Sequence, residues 1–590
     1  MSDWRKAWYT YANTDTNTDD THTQCWIDEK TGYASYVLDD NDIQGSLPDD
    51  LIGTLYRNGA GKFGVNQQRV AHVLDADGLI LQIHFTPPTS AASAANAAAA
   101  VSKRREIRVQ SRFVETKGFL QELDTNRFTM RGTFGTGPMG DEPGKGLNED
   151  PVKLPIWAKI KERAFRTEIK NTANTQIIAF GGKLLALFEA GLPYRLDPKT
   201  LQTVGEDEME GLLVKGKQPI RMKGIPEKFT PDSFGGAAHT AHPKICSRTG
   251  NLVGWSWTQV GSDLEVIITE WSTDGFRKIG SSTTLLNGVS LAPHDVAISE
   301  NYVMFKINAL SMNTMDFISG LKGPAESLKM DGRAGVKAYL VPRPTSPLSS
   351  LASSSQHYPI EVKIPACFSI HFSHAYEDTK TGNFIAFFTG WPPNDSTDFL
   401  GAWGGFCPNF EKIPPTYFWR LEIDPQSRET VDLSIAPGSA NVCVEHAVIH
   451  PNFTTKRAMN VYAVASNLNG DSSAPSGYSK HCVEDGHSRT KLQMGERNDN
   501  IDCYFFGMRY FAGEPLVVPK VGADKDNENQ AYLLGMVFDA CRQKSGVAIF
   551  DLERPLRDGP VCIVWLKTAV PHGLHGAFDP NSDQKTSYFA

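Results

Sequence analysis

Long apolar runs are missing from this 590-residue sequence. No stretch approaches the roughly 18 consecutive apolar residues that a membrane-spanning helix requires, and the alanine-rich stretch at 91–100 is too short and too weakly hydrophobic to serve as one. The first twenty residues carry charge from position 3 onward and have no apolar core, so they do not resemble a secretory signal. We therefore expect a cytoplasmic protein and leave open a peripheral contact with membranes or lipid bodies.

An excess of basic charge is also missing. The chain has 59 Lys and Arg against 67 Asp and Glu, a net charge of −8, which argues against nucleic acid as a partner because such partners require a basic face. Its nine cysteines include no Cys-x-x-Cys pair, and an odd number of scattered thiols is typical of a reduced cytosolic protein. No motif indicates an obligate protein partner.

Short strand-like runs dominate what is present. They are rich in β-branched and aromatic residues and are bounded by Gly, Pro, Asn or Asp, as at 251–260 and 302–308. The best helical pattern is LPIWAKIKERAF at 154–165. Two internal echoes indicate repeated hairpins: YRLDPKTLQTVG from Tyr194 matches WRLEIDPQSRETVDL from Trp419, and HPKICSRTGNLVGWSW matches HAYEDTKTGNFIAFF. Many short strands with repeated hairpins over this length favour an all-β fold, namely a β-propeller.

Three stretches interrupt this pattern. Small residues and low complexity mark 87–106 and 343–357, and high polarity marks 482–500, so we predict surface loop insertions at these places. We predict a single propeller domain over 1–590 that carries them.

Four of the fifteen histidines share a setting at the start of a strand or at a strand-entry turn. They are His242 in TAHPK, His294 in LAPHDVAIS, His371 in FSIHFSHAYED and His575 in GLHGAF. Their wide separation rules out a local zinc motif such as His-Glu-x-x-His. A propeller would bring them together, because the inner strands of its blades converge on one axis, and four imidazoles there would form a metal site. The alternative for each is an ordinary core or surface histidine.

Several ordered segments resemble the carotenoid cleavage oxygenase family. LYRNGAGKF, HVLDADGLILQIHF and NTANTQIIAFGGKLLALFEAGLPYRLDP resemble its early segments, and TAHPK, PHDVAIS, IHFSHAYED and GLHGAF follow in family order, each with a histidine. The resemblance implies a seven-bladed β-propeller with a helical and loop cap. It also implies one iron(II) per chain, held by His242, His294, His371 and His575, with dioxygen as co-substrate and a lipophilic polyene as substrate.

By this resemblance the chain is a non-haem iron(II) dioxygenase that cleaves a conjugated C=C bond of a carotenoid or apocarotenoid to aldehydes. A stilbene-cleaving dioxygenase and a retinoid isomerohydrolase of the same fold are the alternatives, and a zinc hydrolase or a silent binding scaffold are more distant ones. Stilbene-cleaving relatives use a Tyr and a Lys to engage a phenolic hydroxyl. Lys170 matches that Lys, whereas Gly137 stands where the Tyr would be, and this favours an apolar polyene.

His371 and His575 each have another histidine three residues away in the sequence. The second echo aligns His374 with His242, whereas the family pattern puts its ligand first in the cluster and favours His371. His575 is preceded by His572, for which we predict a structural or cavity-lining role.

A ligating imidazole needs an acceptor for its other ring N–H, and carboxylates serve well. The resemblance places Glu189, Glu445 and Glu514 in this role, and each interrupts an apolar stretch. Around Glu445 the sequence is EHAVIHP, where the family commonly has a Glu-Phe-Pro segment. His446 and His450 are therefore additional imidazoles near the site, either ligand-capable bystanders or part of the cavity lining, and we favour bystanders.

The predicted helix at 154–165 is a candidate membrane contact. Lysines and an arginine stand among its apolar residues, which are Leu154, Ile156, Trp157, Ile160 and Phe165. A mixed apolar and basic helix can lie in the membrane interface, and the segment falls where the family carries its membrane-dipping patch. The alternative is an ordinary amphipathic helix that covers the active site.

Overall fold

The computed structural model describes residues 30–66, 68–88, 105–138, 155–164, 168–213, 220–221, 237–350, 358–394, 414–436, 439, 442–467, 476–483, 501–507 and 509–581. Within these ranges, no helix combines the length and the apolar character needed to cross a membrane. Most of the predicted insertions at 87–106 and 482–500 lies outside the described residues, and of the insertion at 343–357 the structure describes 343–350, so all three stay predictions. Arg343, the first residue of the second insertion, is described and is fully buried.

Seven sheets form the blades of a β-propeller, which confirms the predicted fold class. Blade 1 contains Ala34–Leu38, Gly53–Lys62, Asp77–Phe85, Ile107–Phe113 and His575–Asp579. Blade 2 contains Gln176–Phe180, Lys183–Leu187, Tyr194–Leu196 and Thr203–Glu206. Blade 3 contains Ile220–Arg221, Ala238–His239, Lys244–Ile245, Leu252–Val260, Asp263–Trp271 and Lys278–Leu286.

Blades 4 to 7 each begin with the strand that lies nearest the axis. Blade 4 contains Ala297–Ile298, Tyr302–Ile307, Val336–Pro342 and Ile360–Ile364. Blade 5 contains Phe368–Glu377, Phe384–Trp391, Tyr417–Asp424 and Glu429–Ile435. Blade 6 contains Val442–Val448, Asn460–Asn467, Ser476–Cys482 and Ile501–Phe505. Blade 7 contains Tyr510–Pro519, Ala531–Asp539, Lys544–Asp551, Cys562–Trp565 and, at its edge, Ile43–Gly45.

The predicted hairpin echoes are confirmed. Tyr194–Leu196 pairs with Thr203–Glu206, and Tyr417–Asp424 pairs with Glu429–Ile435, each across its Asp-containing turn. Two small strand pairs lie outside the blades: Gly64–Val65 with Gln68–Arg69, and Leu310–Met312 with Leu328–Met330.

Adjacent blades share hydrophobic clusters, one at each of the seven junctions around the ring. Because both faces of a blade pack against neighbours, a central strand such as Ala531–Asp539 is buried at every position. Each large aliphatic side chain buried in this way stabilises the fold by about 1.5–3 kcal/mol. The core is therefore a ring of interfaces, and the strands nearest the axis are held from both sides.

The ring closes by pairing the two ends of the described chain. His575–Asp579 runs antiparallel to Gly53–Lys62, with Asn58 opposite His575 and Thr54 opposite Asp579. Blade 1 is thus built from strands near residue 60 and a strand near residue 577, and His575 is the first residue of the strand that completes it.

Within the described ranges, three short α-helices lie between strands. Helix α1 (Lys117–Thr125) begins where the Thr116 side chain accepts a hydrogen bond from the N–H of Phe119. Helices α2 (Ile156–Arg163) and α3 (Thr314–Ile318) follow. Arg131, just after α1, donates to the carbonyl of Phe317 in α3, so the excursions that carry these helices pack on each other.

Candidate metal centre

Each of the seven blades contributes one of the seven predicted site residues, on its innermost strand or the loop beside it. In order of blade these residues are His575, Glu189, His242, His294, His371, Glu445 and Glu514. The strands nearest the axis in neighbouring blades contact one another, for example Phe368–Glu377 with Val442–Val448. The structure therefore brings together all seven residues that the sequence had placed in one site.

The four histidine rings converge. The Nε2 atom of His294 lies 2.9 Å from Nε2 of His242 and 3.3 Å from Nε2 of His371. The ring centroid of His575 is 4.7 Å from that of His242 and 5.0 Å from that of His371. Ligand atoms at about 2.1 Å from one metal ion, the usual metal–imidazole distance, are about 3 Å apart when they are neighbours, so this spacing fits a single ion.

Three of the imidazoles hydrogen-bond to glutamates through the nitrogen that faces away from the cluster. Nδ1 of His294 lies 2.6 Å from Glu189, Nδ1 of His371 lies 2.9 Å from Glu445, and Nδ1 of His575 lies 2.7 Å from Glu514.

These contacts fix the tautomer and provide a test of whether a cation fits. An imidazole that donates its Nδ1 proton to a carboxylate has a lone pair, and no proton, on Nε2. The Nε2 atoms of His294 and His371, 3.3 Å apart, then face each other as two acceptors. Two acceptors at that distance repel each other unless a cation lies between them, and imidazole nitrogens suit iron, zinc, copper and nickel. The donor set therefore fits a bound metal ion.

The charges of the site are coupled. Burial alone would raise the pKa of Glu445, but the His371 imidazole and its hydrogen bond lower it to about 2. Burial likewise opposes ionisation of Glu514, yet His575 and Arg57 together hold its pKa well below the usual range. Burial alone would lower the pKa of His294, and Glu189 outweighs it so that the pKa is raised. Glu445 and Glu514 are thus held as anions beside the rings.

One side of the site is more open than the other. The side chains of His294 and Glu189 are 33% and 46% exposed, whereas those of His575 and Glu514 are 7% and 10% exposed. A molecule that reaches the cluster from outside therefore meets the side of blades 2 and 4.

Two further side chains, for which the sequence predicts no role, hold Glu514 and Glu445 in place. Arg57 is buried and donates from Nη1 to Glu514 at 2.8 Å, and Thr389 donates to Glu445 at 2.7 Å. Arg57 lies in LYRNGAGKF, one of the segments that resemble the family. That segment was therefore the signal in the sequence from which a role for Arg57 could have been inferred.

The structure places His371, and not His374, in the cluster. His374 is buried on the other side of the strand, where its ring stacks on Phe387 with centroids 4.8 Å apart, and burial lowers its pKa to about 3. The echo that aligned His374 with His242 follows the hairpin rather than the direction of the side chain.

The additional imidazoles separate into two groups. His446 lies in the cluster, with its ring centroid 5.0 Å from that of His371 and 5.2 Å from that of His575. His450 does not: its Nδ1 accepts a hydrogen bond from the N–H of Asn452 at the start of a short 3₁₀ turn. Among the described residues, His572 is not one of the histidines whose ligand atoms lie close enough together to hold a metal.

The two positions that bear on the stilbene alternative are both structural here. Lys170 is buried, with Nζ 2.8 Å from Asp77 and 2.6 Å from Glu122. If residue 137 had a side chain, its Cβ atom would lie 2.3 Å from the guanidinium of Arg163, which is too close. Lys170 is therefore held by two carboxylates, and residue 137 has no room for a tyrosine unless Arg163 moves.

The candidate membrane patch is partly described. Ile156, Trp157 and Ile160 on α2 are 68%, 70% and 39% exposed, while Leu154 lies outside the described residues. Three large apolar side chains exposed on one short helix are unusual for a surface that meets only water.

Comparison with known proteins gives a consistent set of matches. The sequence model of the retinal pigment epithelial membrane protein family matches residues 31–580. The apocarotenoid-15,15'-oxygenase of Synechocystis is 26% identical over 542 residues, which cover 91% of this chain and 92% of that protein. Resveratrol cleavage oxygenase 1 of Chaetomium globosum is 23% identical over 588 residues, which cover 93% and 86% respectively. The crystal structure of cobalt-substituted Synechocystis apocarotenoid oxygenase has a TM-score of 0.72 at 24% identity, and the match covers 94% of this chain and 98% of that one.

Proposed function

This chain belongs to the retinal pigment epithelial membrane protein family, which includes the carotenoid cleavage oxygenases, and on that premise we propose that it is an iron(II)-dependent dioxygenase of a carotenoid or apocarotenoid. The observation that carries the proposal is the cluster in which His242, His294, His371 and His575 converge while three glutamates hold the outward ring nitrogens. In this reaction one dioxygen molecule is consumed for each C=C bond broken, and each of the two carbons becomes a carbonyl carbon bearing one oxygen atom.

The residues of the chain prepare the site without reacting themselves. Iron(II) bound there would supply the electrons that dioxygen needs before it adds to a closed-shell alkene. Glu189, Glu445 and Glu514 accept the Nδ1 protons and so keep each Nε2 lone pair directed to the axis. Their negative charge offsets the positive charge of a divalent ion, which the neutral imidazole ligands do not offset. The open side at His294 and Glu189 is where the substrate would enter.

A polyene suits the surroundings better than a phenol does. A phenolic hydroxyl would need a free donor or acceptor, and the ammonium of Lys170 is already bound to Asp77 and Glu122. The resveratrol-cleaving relative nevertheless covers nearly the whole chain, so a stilbene belongs among the substrates to be tested.

The test is an assay of protein loaded with iron(II) under air. We expect β-carotene or an apocarotenal to yield aldehydes, with one dioxygen consumed for each bond cut, and we expect chelator-treated protein to be inactive. Mass spectrometry of the products and an oxygen electrode provide the two measurements. Turnover of a retinyl ester without oxygen uptake would support an isomerohydrolase instead, and cleavage of resveratrol alone would support a stilbene oxygenase.

We further propose that α2 contacts a membrane surface, from which a lipophilic substrate would be taken. Ile156 and Trp157 are exposed apolar side chains in its first turn, and Lys161 is an exposed basic residue near its carboxyl end, whereas Arg163 is buried. Burying two such side chains in the lipid interface contributes several kcal/mol by area arguments, at about 1.5–3 kcal/mol each.

Replacing both residues, Ile156→Ser with Trp157→Ser, is therefore expected to weaken binding to phosphatidylcholine vesicles by at least about tenfold. Co-sedimentation with vesicles measures this. Val521→Ser is the matched control, because Val521 is also an exposed apolar residue, at 69%, but lies elsewhere. Equal vesicle binding by the double variant and the parent would leave α2 as an ordinary surface helix.

A further inference from the structure

His446 is a fifth imidazole in the histidine cluster, and we propose that it is a further ligand of the metal. The inference rests on the proposed metal centre, because it adds one donor to the four predicted there. It also replaces the interpretation of His446 as a bystander.

The position of the His446 ring matches those of the predicted ligands. The four predicted rings lie with centroids 4.4 to 5.3 Å apart in the contacting pairs. The ring of His446 is 5.0 Å from His371 and 5.2 Å from His575, within that range. Its ligand atom also lies within 4.8 Å of those of both residues. His446 thus lies as far from its two neighbours as the predicted ligands lie from one another, with its ring edge-on to that of His575 and stacked on that of His371.

The backbone is distorted in a way that turns His446 toward the site. Neighbouring residues in a regular strand point to opposite faces of the sheet, yet Glu445 and His446 both reach His371. The pairing register shifts between Glu445 and Val448, and His446 has a φ of 53°. A left-handed conformation at a residue other than glycine is strained, and bulges that redirect a side chain are common beside active sites. The strand therefore accepts strain to present both side chains.

One nitrogen of the ring has no partner in the protein. Nδ1 of His446 is buried and makes no hydrogen bond among the described residues. Leaving a buried polar nitrogen unpaired is unfavourable, and coordination to a metal would remove that cost. The three glutamates are already engaged by other rings, which leaves the ion as the group that His446 can serve.

The test compares His446→Phe with the parent protein, both loaded with iron(II). Phenylalanine keeps an aromatic ring of similar size and removes the donor. We expect X-ray absorption to count one imidazole fewer at the iron in the variant, and chelator competition to show affinity for iron(II) weakened about tenfold or more, the scale found for groups that support a metal. His450→Asn is the control, because it removes an imidazole outside the cluster while keeping an acceptor for the N–H of Asn452.

The outcomes separate this inference from the proposed function. X-ray absorption on the parent protein is a test by itself: five imidazoles at the iron support the inference, and four overturn it. Unchanged affinity and imidazole count in His446→Phe would overturn it as well, with the four-histidine centre intact. Failure of the parent to bind iron(II) at all would overturn the proposed centre itself.

Discussion

Replacing His294 by alanine is expected to give a folded protein that holds no metal and cleaves no polyene. The Nε2 atom of His294 approaches those of both His242 and His371. Its loss removes one donor and also leaves Glu189 without the ring that orients it. The side chain is one-third exposed, so we expect the fold to survive its removal.

Metal content after loading with iron(II), aldehyde formation and the far-ultraviolet circular dichroism spectrum measure the three parts of this prediction. His374→Phe is the control, because it deletes a buried imidazole from the strand of His371 without touching the cluster. Retention of iron and of turnover in His294→Ala would remove His294 from the site.

The second large effect concerns stability. Replacing Glu270 by alanine is expected to lower the free energy of unfolding by about 3–5 kcal/mol, because it leaves the Arg343 guanidinium buried without a counter-charge. Both side chains are 0% exposed, and they form two hydrogen bonds, of 3.0 and 2.8 Å. The pair ties a strand of blade 3 to the segment between two strands of blade 4, Val336–Pro342 and Ile360–Ile364.

Denaturant unfolding followed by tryptophan fluorescence measures the change. Glu361→Ala is the matched control: its partner Lys337 lies 2.7 Å away, but the two side chains are 40% and 45% exposed, so the loss should be at most about 1 kcal/mol. The double change Glu270→Leu with Arg343→Met should recover most of the stability, since no unpaired charge remains. An equal loss in Glu270→Ala and Glu361→Ala would contradict the prediction.

The sequence was sufficient for those features that local patterns and family order record. The alternation of short strands and Asp-containing turns predicted the hairpins, and the order of the family segments, added to the four histidine settings, predicted that these imidazoles meet. His371 was separated from His374 by family order alone, because the hairpin echo favoured the other residue. The structure gives the physical reason: His374 is placed against Phe387 by the register shifts around it.

The sequence did not record features that depend on distant contacts or on local backbone distortion. Arg57 and Glu514 are 457 residues apart, and nothing in either segment indicates the other. His446 follows Glu445 directly, so strand periodicity places it on the opposite face. Arg343 opens a stretch of small residues that reads as a surface loop, yet Glu270 holds it in the interior.

The strand His575–Asp579 has a consequence for how the molecule is made. It completes blade 1 and also carries one of the converging imidazoles, so a nascent polypeptide can possess six finished blades and still have neither a locked ring nor the whole donor set. Until it docks, Gly53–Lys62 has an unpaired backbone edge open to wrong partners. Under the proposed function, binding of the ion and closure of the ring would depend on this same strand, and a chain truncated before residue 575 would lack both.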